Sequence, residues 1–385
     1  MAGLGRGAAM HILVTVNAAW NVLNFRRPVI EMLLAEGHKV TVLAPPDDSV
    51  GAMAQMGCRF EPLEMSVKGL NPLDDFALFR RLSSVFGRLR PDIVLSYTIK
   101  NNIFGAMAAR EVGIPFVPNV TGLGTAFLSG GLLQRIAETL YRQAFGGLPV
   151  VFFQNEDDRD LFLSRRLARA EQARLLPGSG INLQHFAPTG LPSSRIGPVF
   201  LMIARLLRDK GVVEYVDAAR LVRQQIPEAE FRVLGAVASQ NRSAIDRDTV
   251  AAWEADGAIT YLGTMPDVRP AISEAHCVVL PSYREGAPRT LIEAAAMGRP
   301  LIATDVPGCR SVVAHEHTGF LCEVRSAQSL AEACLRFAAM SHDARTELGR
   351  AGRAKMETEY DEAVVVRAYR GVLDELMSGR RAGTM

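Results

Sequence analysis

Residues 276–298 read HCVVLPSYREGAPRTLIEAAAMG, in which an apolar stretch, a loop and a helical pattern follow one another directly. The stretch from His276 to Ser282 predicts a short buried strand. Pro288 suits the first position of the following helix, and Gly298 suits the residue just beyond its end. A strand that leads through a short loop into a helix is the building unit of an α/β fold with a parallel sheet.

Two glutamates, Glu285 and Glu293, flank the start of this helix. Glu293 lies more than a turn inside, where a carboxylate is placed to bind two neighbouring hydroxyls, such as those of a ribose. Glu285 lies in the loop ahead, on the side where a sugar would sit. Backbone amides at a helix start bind anions such as phosphate, and here they belong to Arg289, Thr290 and Leu291. A glutamate near a helix start also offsets the helix dipole, so the pattern alone leaves a purely structural role open.

Composition restricts the classes of protein that fit. The chain of 385 residues suits two domains, and 48% hydrophobic with 22% charged residues is typical of a globular protein. A net charge of +2 gives no nucleic-acid signal. The five cysteines lack Cys-x-x-Cys spacing, which indicates a reducing compartment without disulfides or zinc. No apolar run approaches the ~18 residues of a membrane span, so we expect a cytoplasmic protein that is soluble or peripherally bound to a membrane.

Short apolar runs alternate with helical patterns in both halves of the chain, which predicts parallel sheets covered on both faces. The predicted strands are His11–Asn17, Lys39–Ala44, Asp92–Tyr97, Phe116–Val120 and Val150–Gln154, then Val199–Ala204, Glu230–Leu234, Ile259–Leu262, Cys277–Leu280 and Pro300–Thr304. The turn-rich residues 188–198 predict a linker between domains 1–187 and 199–361. The helix in 362–385 is placed to cross back onto the first domain. We therefore predict an α/β protein with two doubly wound domains that face each other across a cleft.

In such sheets, ligands bind beyond the carboxyl ends of the strands. The residues that follow the predicted second-domain strands are Arg205, Gly235, Gly263, Glu285 and Asp305. Lys210 follows Arg205 across a short loop. Two cations beside a strand-to-helix turn suit a diphosphate, and glycines admit close approach of a ligand. These residues predict one site for a sugar nucleotide.

In combination, these motifs resemble the retaining glycosyltransferases of family 4, and the resemblance covers essentially the whole chain. The residues that carry it are Arg205 with Lys210, Pro281 to Gly286, Glu293 to Pro300, Ala303 to Gly308 and Gly319 to Leu321. The resemblance implies the GT-B fold, with two facing Rossmann-like domains and an interdomain cleft. It implies a donor site in which Arg205 and Lys210 hold the diphosphate, Glu293 the ribose, Glu285 the donor sugar, and the amides of Arg289 to Leu291 a phosphate. Gly286 belongs to the same donor site.

First-domain motifs narrow the resemblance to enzymes that extend polyprenyl-diphosphate-linked sugars in capsule, O-antigen and glycoprotein glycan assembly. They are Thr98 to Gly105, Asn119 to Gly124, and Ser179 to Asn182. This branch implies a UDP-sugar donor, N-acetylhexosamine or hexose, as co-substrate. Many members carry a histidine near Asn119 to Thr121 that contacts the donor sugar. This chain has none there, so Asn119 or Thr121 is expected to substitute.

The acceptor should lie against the first domain. Asn17 and Trp20 follow the first strand, and Trp20 is suited either to stack on a sugar or to be buried. Lys100 lies beyond another strand end, where it could meet an acceptor diphosphate. Those strand ends offer no useful catalytic base, which favours retention of configuration, with the leaving phosphate taking the acceptor proton.

We expect no cofactor and no metal, because cationic side chains already serve the leaving diphosphate. The Asp-x-Asp stretches Asp158 to Asp160 and Asp246 to Asp248 have the spacing of metal-dependent transferases, but both lie in charged stretches with no preceding strand.

Residues 122–147 suggest a membrane partner. They combine apolar residues such as Phe127, Leu128, Leu132 and Ile136 with nearby arginines, a pattern of helices that lie on anionic membranes and equally of helices that pack in a core.

Three other classes of protein are alternatives. A dinucleotide oxidoreductase would need Gly-x-Gly-x-x-Gly after the first strand, where this chain has Asn17-Ala-Ala-Trp-Asn. A sugar-nucleotide epimerase on the same two-domain fold would need acid and base side chains in the cleft, and few are available. A non-catalytic nucleotide-sugar-binding protein stays open.

Overall fold

The computed structural model describes residues 9–67, 71–123, 131–193, 197–237 and 243–382. These residues form two compact units, one of 1–180 with 362–385 and one of 181–361. The division falls at Gly180 rather than within the predicted linker 188–198. The reason is packing, since Ile181 and Phe186 are buried in the core of the second unit and the amide of Ile181 donates to the carbonyl of Tyr360.

The first unit contains a seven-stranded sheet in which all neighbouring strands are parallel. Its strands are His11–Thr15 (β1), Lys39–Ala44 (β2), Arg59–Pro62 (β3), Ile93–Tyr97 (β4), Phe116–Val120 (β5), Val151–Phe153 (β6) and Ala173–Leu175 (β7). Their spatial order is β3-β2-β1-β4-β5-β6-β7. The direction of winding therefore reverses between β1 and β4, which is where ligands bind in such sheets.

Helices cover both faces of this sheet. They are Ala19–Phe25 (α1), Arg27–Ala35 (α2), Val50–Gln55 (α3), Pro72–Leu89 (α4), Ile99–Val112 (α5), Gly131–Phe145 (α6), Glu156–Ser164 (α7) and, from the end of the chain, Glu362–Ala382. Alternation along β1 shows the two faces, because Ile12 and Val14 lie in one hydrophobic cluster and Leu13 lies in the other. The last helix lies in the first of these clusters through Val365 and Tyr369.

The second unit contains a six-stranded parallel sheet. Its strands are Val199–Ile203 (β8), Glu230–Leu234 (β9), Thr260–Tyr261 (β10), Cys277–Leu280 (β11), Leu301–Thr304 (β12) and Gly319–Cys322 (β13), in the order β10-β9-β8-β11-β12-β13. Its helices are Val212–Gln225 (α8), Arg247–Ala255 (α9), Arg269–Glu274 (α10), Arg289–Ala296 (α11), Cys309–Val312 (α12), Ala327–Ala338 (α13) and His342–Lys355 (α14). The helix Glu362–Ala382, which belongs to the first unit, is numbered α15. The winding reverses between β8 and β11.

The helix α11 begins one residue later than predicted. Pro288 is its N-cap, with φ −72° and ψ 101°, and Arg289 is the first helical residue. At the other end Gly298 has φ +74°, the left-handed conformation that glycine adopts readily just beyond a helix. The predicted strand–loop–helix unit is therefore present, with its start corrected.

Candidate functional site

The reversal point of the second sheet brings together the loops that follow β8 and β11. The Nζ of Lys210 lies 2.5 Å from Oε1 of Glu285, and their side chains are 22% and 13% exposed. Arg205 lies two residues beyond the end of β8 and is exposed. The chain therefore places two cations and a carboxylate at the carboxyl edge of the sheet, as the sequence predicts from strand ends alone.

Backbone contacts hold these two loops against each other. The amide of Tyr283 donates to the carbonyl of Asp209 over 2.9 Å, and the hydroxyl of Ser282 donates to the same carbonyl over 3.2 Å. Gly211, with φ +76°, lies so close that a Cβ there would be 2.0 Å from the carbonyl oxygen of Pro281. Only glycine fits this position, and the Lys210–Glu285 contact follows from it.

The second glutamate is buried beside an arginine of its own helix. Glu293 is 7% exposed, and Nε of Arg289 donates to its Oε1 over 2.6 Å. Burial raises the pKa of the Glu293 carboxyl, and the Arg289 guanidinium opposes that rise. Arg289 therefore favours the carboxylate form, which is the form that accepts hydrogen bonds from two hydroxyls.

One detail of the predicted phosphate site is wrong. The amide of Leu291 does not point forward from the helix, because it donates to the carbonyl of Pro288 over 3.1 Å. The helix start tightens into a turn around the proline carbonyl, which also accepts from the amide of Ile292. The amides of Arg289 and Thr290 keep the predicted position at the helix start.

The glycines of the site lie close to neighbouring backbone. Gly235 donates its amide to the carbonyl of Gly263 over 2.8 Å, and a Cβ on Gly235 would be 1.8 Å from the carbonyl oxygen of Ala204. Gly263 has φ +69° and open space where a Cβ would be. Gly286 lies against Gly308, where a Cβ would be 2.6 Å from the Gly286 carbonyl oxygen. Close approach of backbone is thus a property of this edge of the sheet.

In the first unit, Trp20 is exposed rather than buried. Its side chain is 53% exposed and packs edge-on against Phe25 at 5.3 Å between ring centroids. The amide of Trp20 donates to Oδ2 of Asp47 over 2.8 Å, which fixes the start of α1. Asn17 is partly exposed beside it. An aromatic ring is thus exposed at the carboxyl edge of β1.

The structure places Lys100 and Thr121 near the same edge. The Nζ of Lys100 lies 2.7 Å from Oδ1 of Asp75, and both side chains are mostly buried, at 14% and 16% exposed. A diphosphate that reached Lys100 would have to compete with this carboxylate. Thr121 is partly exposed just beyond β5.

The prediction that Asn119 faces a ligand is wrong. Asn119 is 1% exposed, its Nδ2 donates to the hydroxyl of Tyr369 over 3.1 Å, and its Oδ1 accepts from Nε2 of Gln154 over 3.4 Å. Because its side chain turns into the core, Thr121 is left as the partly exposed candidate of the two.

Sequence reasoning missed several polar residues of the two edges. Asp47 holds the amide of Trp20 but lies far from it in sequence. The hydroxyl of Tyr283 donates to Oε1 of Glu214 over 2.6 Å, and the guanidinium of Arg325 lies 4.6 Å from the Tyr283 ring centroid. The position of Tyr283 directly before Arg284 and Glu285 in the loop was a signal that could have included it.

The Asp-x-Asp stretches have structural partners. Asp158 is buried and its amide is capped by Asn155 at the start of α7, while Asp160 pairs with Arg159. Asp246 is the N-cap of α9 and accepts from the amide of Thr249. Across the described ranges, no group of three or more His, Cys, Asp or Glu side chains could hold a metal ion.

Helix α6 is exposed at its start and buried at its end. Leu132, Leu133 and Ile136 are 73%, 44% and 47% exposed, whereas Tyr141 and Phe145 are in the core. Gly124, Phe127 and Leu128 lie outside the described residues. Within the part of the chain that the structure describes, none of the helices has the length and apolar character needed to cross a bilayer.

Two family models match the chain, one in each unit. The model described as "Glycosyl transferase 4-like domain" matches residues 25–178, and "Glycosyl transferases group 1" matches residues 197–340. Together the two models cover the residues described above at the two sheet edges, except Asn17 and Trp20.

Two curated relatives have similar sequences. One is the N,N'-diacetylbacillosaminyl-diphospho-undecaprenol alpha-1,3-N-acetylgalactosaminyltransferase of Campylobacter jejuni, which is 27% identical over 96% of this chain and 99% of the relative. The other is the UDP-Gal:alpha-D-GlcNAc-diphosphoundecaprenol alpha-1,3-galactosyltransferase of Escherichia coli, 25% identical over 70% of this chain and 72% of the relative.

Solved structures share the fold. Sucrose-phosphate synthase from Thermosynechococcus elongatus superimposes with a TM-score of 0.79 at 19% identity, covering 96% of this chain and all of that one. Anabaena HepE in complex with UDP and glucose gives 0.75 at 17% identity, covering 95% of this chain and all of that one. The fold is GT-B, which confirms the fold class predicted from the sequence.

Proposed function

The chain belongs to the glycosyltransferases that join a 4-like domain to a group 1 domain, and from this premise we propose that it transfers a sugar from a UDP-sugar to a polyprenyl-diphosphate-linked sugar. The sugar is an N-acetylhexosamine or a hexose, and the product serves surface-glycan assembly. The observation that carries the donor half is the Lys210–Glu285 contact at the reversal point of the second sheet. The acceptor half is supported by the two relatives, whose names specify undecaprenyl-diphosphate acceptors.

In this proposal each donor contact has one task. Arg205 and Lys210 offset the charge that develops on the leaving diphosphate, and the start of α11 binds phosphate through backbone amides. Glu293 accepts hydrogen bonds from the ribose hydroxyls. Glu285 contacts the donor sugar, because its carboxylate adjoins the cation that holds the diphosphate.

The acceptor contacts belong to the first unit. Trp20 offers an exposed ring face to a sugar, and Asn17 and Thr121 offer polar groups nearby. Lys100 attracts the acceptor diphosphate to the same edge, in competition with its partner Asp75.

We propose that transfer retains the anomeric configuration. The described strand ends of the first unit offer poor bases. Burial raises the pKa of Tyr97 well above its usual value, so its hydroxyl stays protonated at neutral pH and cannot take a proton from the acceptor. Asp47 accepts backbone amides, and these hydrogen bonds outweigh burial and lower its pKa. We call the carboxyl edge of the first sheet, with Asn17, Trp20, Lys100 and Thr121, the acceptor edge. Lack of a suitable base there favours a reaction in which the leaving phosphate oxygen takes the acceptor proton while the new glycosidic bond forms on the same face.

Turnover of the purified protein tests the function. UDP-N-acetylhexosamines and UDP-hexoses are offered with an undecaprenyl-diphosphate-linked monosaccharide, and NMR of the disaccharide gives the anomeric configuration. Conversion of the UDP-sugar to its epimer without acceptor would instead identify an epimerase. Binding of UDP-sugar without turnover on any acceptor would leave a binding protein.

Metal should not be required for this activity. We expect transfer to persist in excess chelator, because Arg205, Lys210 and a helix start already offset the leaving-group charge. The measurement is the initial rate with EDTA against the rate with added Mg²⁺ or Mn²⁺. A strict requirement for either ion would contradict the prediction and would make the Asp-x-Asp stretches at Asp158 and Asp246 candidates for the metal site.

We further propose that the protein works on the cytoplasmic face of the membrane and contacts it through the start of α6. Leu132, Leu133 and Ile136 are exposed there beside the exposed cation Arg135. Apolar side chains flanked by cations bind the interface of anionic bilayers. Such contact would bring a lipid-linked acceptor to the first unit.

Vesicle sedimentation tests this contact. We expect binding to anionic vesicles that weakens with salt and is lost in the Leu132→Ser/Ile136→Ser variant. Leu175→Ser is the matched control, since Leu175 is another exposed leucine of the first unit, 40% exposed on β7. Absence of vesicle binding at low salt, or equal loss in the control, would contradict the proposal.

A further inference from the structure

The last helix of the chain carries a buried tyrosine into the core of the first unit. Tyr369 on α15 is 1% exposed, and its ring packs against Phe152 at 4.9 Å and Tyr97 at 6.4 Å between centroids. Its neighbours on the same helix, Val365 and Val372, are apolar and buried. Tyr369 therefore brings a hydroxyl into a region that α15 otherwise fills with aliphatic side chains.

This hydroxyl contacts the end of β5. Nδ2 of Asn119 donates to the Tyr369 hydroxyl over 3.1 Å, and the main-chain carbonyl of Asn119 accepts from Nδ2 of Asn102 over 2.8 Å. The Oδ1 of Asn119 also accepts from Nε2 of Gln154, so three hydrogen bonds hold Asn119. Thr121 follows two residues later, so the position of Thr121 depends on a residue fixed partly by α15.

The same hydroxyl also contacts the end of β4. The side chains of Tyr369 and Tyr97 are hydrogen-bonded to each other, and the guanidinium carbon of Arg26 lies 3.9 Å from the Tyr97 ring centroid. Arg26 is the junction between α1 and α2, and α1 carries Trp20. A chain of contacts thus runs from Tyr369 through Tyr97 and Arg26 to the helix that presents the exposed ring.

Such a network needs an explanation beyond burial. A phenol hydroxyl in a core costs free energy unless it is hydrogen-bonded, and phenylalanine would fill almost the same volume without that cost. What the hydroxyl adds is direction, because it fixes Asn119 and Tyr97 relative to each other. Connected buried polar groups of this kind restrict a core to one arrangement.

We propose that Tyr369 is a positioning residue for the acceptor, a role that rests on the proposed function. Its hydroxyl sets the ends of β4 and β5, and through them the positions of Thr121 and Trp20 at the acceptor edge. It touches neither substrate. In this proposal α15 therefore determines where Thr121 and Trp20 lie at the acceptor edge of the first unit.

The Tyr369→Phe variant tests this role, because it removes one oxygen atom and keeps the ring. We expect the KM for the polyprenyl-linked acceptor to rise about tenfold, the scale of one lost hydrogen bond to a positioned group, while the Kd for UDP stays unchanged. Tyr215→Phe is the matched control: Tyr215 is equally buried, and its hydroxyl donates to the carbonyls of Phe200 and Arg232 in the second unit. Melting temperatures of both variants report the stability that each loses.

A cycle with Asn119→Ala separates positioning from general damage. If Tyr369 acts through Asn119, the double variant should be little worse than either single one in acceptor KM, because coupled residues are not additive. An unchanged acceptor KM in Tyr369→Phe, or a parallel loss of UDP affinity and melting temperature beyond that of Tyr215→Phe, would overturn the proposal.

A second measurement does not depend on turnover. The chain has two tryptophans, so Trp253→Phe leaves Trp20 as the sole reporter. In that background we expect Tyr369→Phe to change acrylamide quenching of Trp20 and Tyr215→Phe to leave it unchanged. A protein that shows this change but transfers no sugar to a lipid-linked acceptor would refute the proposed function alone; unchanged quenching would refute the link from Tyr369 to Trp20.

Discussion

Replacing either cation of the proposed diphosphate clamp should reduce turnover by roughly 10² or more, the scale for losing one preorganised contact to a developing charge. The variants are Arg205→Ala and Lys210→Ala. Lys210 should be the more damaging, because its removal also leaves Glu285, 13% exposed, without its ion-pair partner. Steady-state rates at saturating donor and acceptor measure the effect.

Arg208→Ala is the matched control for this prediction. Arg208 lies in the same turn as Lys210 and is exposed, so its replacement removes a positive charge from the same loop. We expect its rate to stay close to that of the unaltered protein. Full activity in the Arg205→Ala/Lys210→Ala double variant, or an equal loss in Arg208→Ala, would show that the clamp is wrongly assigned.

The sequence predicted the inner strands of both sheets and the edge strand β10, and it missed the edge strands β3, β7 and β13. Strands β1, β4 and β8 are buried on both faces, so their sequences are mostly apolar. Strands β3 and β7 are at the two ends of the first sheet, where burial is partial. Arg59–Pro62 and Ala173–Leu175 are short and mixed in polarity, so their sequence carries little strand signal.

The donor edge, which is the carboxyl edge of the second sheet, was predictable because its residues are close together in sequence or lie just beyond strand ends. Lys210 and Glu285 meet because both follow strands at one reversal point, and topology alone predicts that meeting. The ion pair between Arg289 and Glu293 is a contact of residues four apart on a helix and could have been predicted as well.

The acceptor edge was less predictable because long-range contacts decide which way its side chains turn. Asn119 turns inward to meet Tyr369, which is 250 positions later in the chain. Trp20 turns outward on a helix whose start is held by Asp47. Nothing in the local sequence around Asn119 or Trp20 records these partners.

The two glutamates of the donor site should differ in what they bind. Glu285→Ala should leave the affinity for UDP unchanged or raise it severalfold, because it releases Lys210 from its ion pair to meet the diphosphate. Sugar transfer should nevertheless fall by roughly 10², since a contact to the transferred group is lost. Isothermal titration with UDP and initial rates with UDP-sugar measure the two effects separately.

Glu293 should show the opposite pattern. Glu293→Gln keeps the size of the side chain and an acceptor for Arg289 but removes the charge, so the ribose hydroxyls lose charge-assisted hydrogen bonds. Such bonds contribute ~1.5–3 kcal/mol each, and we expect UDP to bind roughly 10- to 100-fold more weakly. The same ratio should appear in bare UDP and in UDP-sugar, because the ribose is common to both.

A ribose analogue makes the assignment of Glu293 specific. The unaltered protein should bind UDP more tightly than 2′-deoxy-UDP, because the analogue lacks one of the two hydroxyls that we propose donate hydrogen bonds to the Glu293 carboxylate. Glu293→Gln should lose most of that preference. Glu285→Ala should keep it, since the Glu285 carboxylate is 2.5 Å from Lys210, on the side of the site where we propose that the diphosphate binds. Equal preference for UDP in all three proteins, or equal loss of UDP affinity in both variants, would contradict the division of roles. A mere loss of folding stability in Glu293→Gln would weaken both nucleotides together and leave their ratio unchanged, so the ratio tests the contact itself.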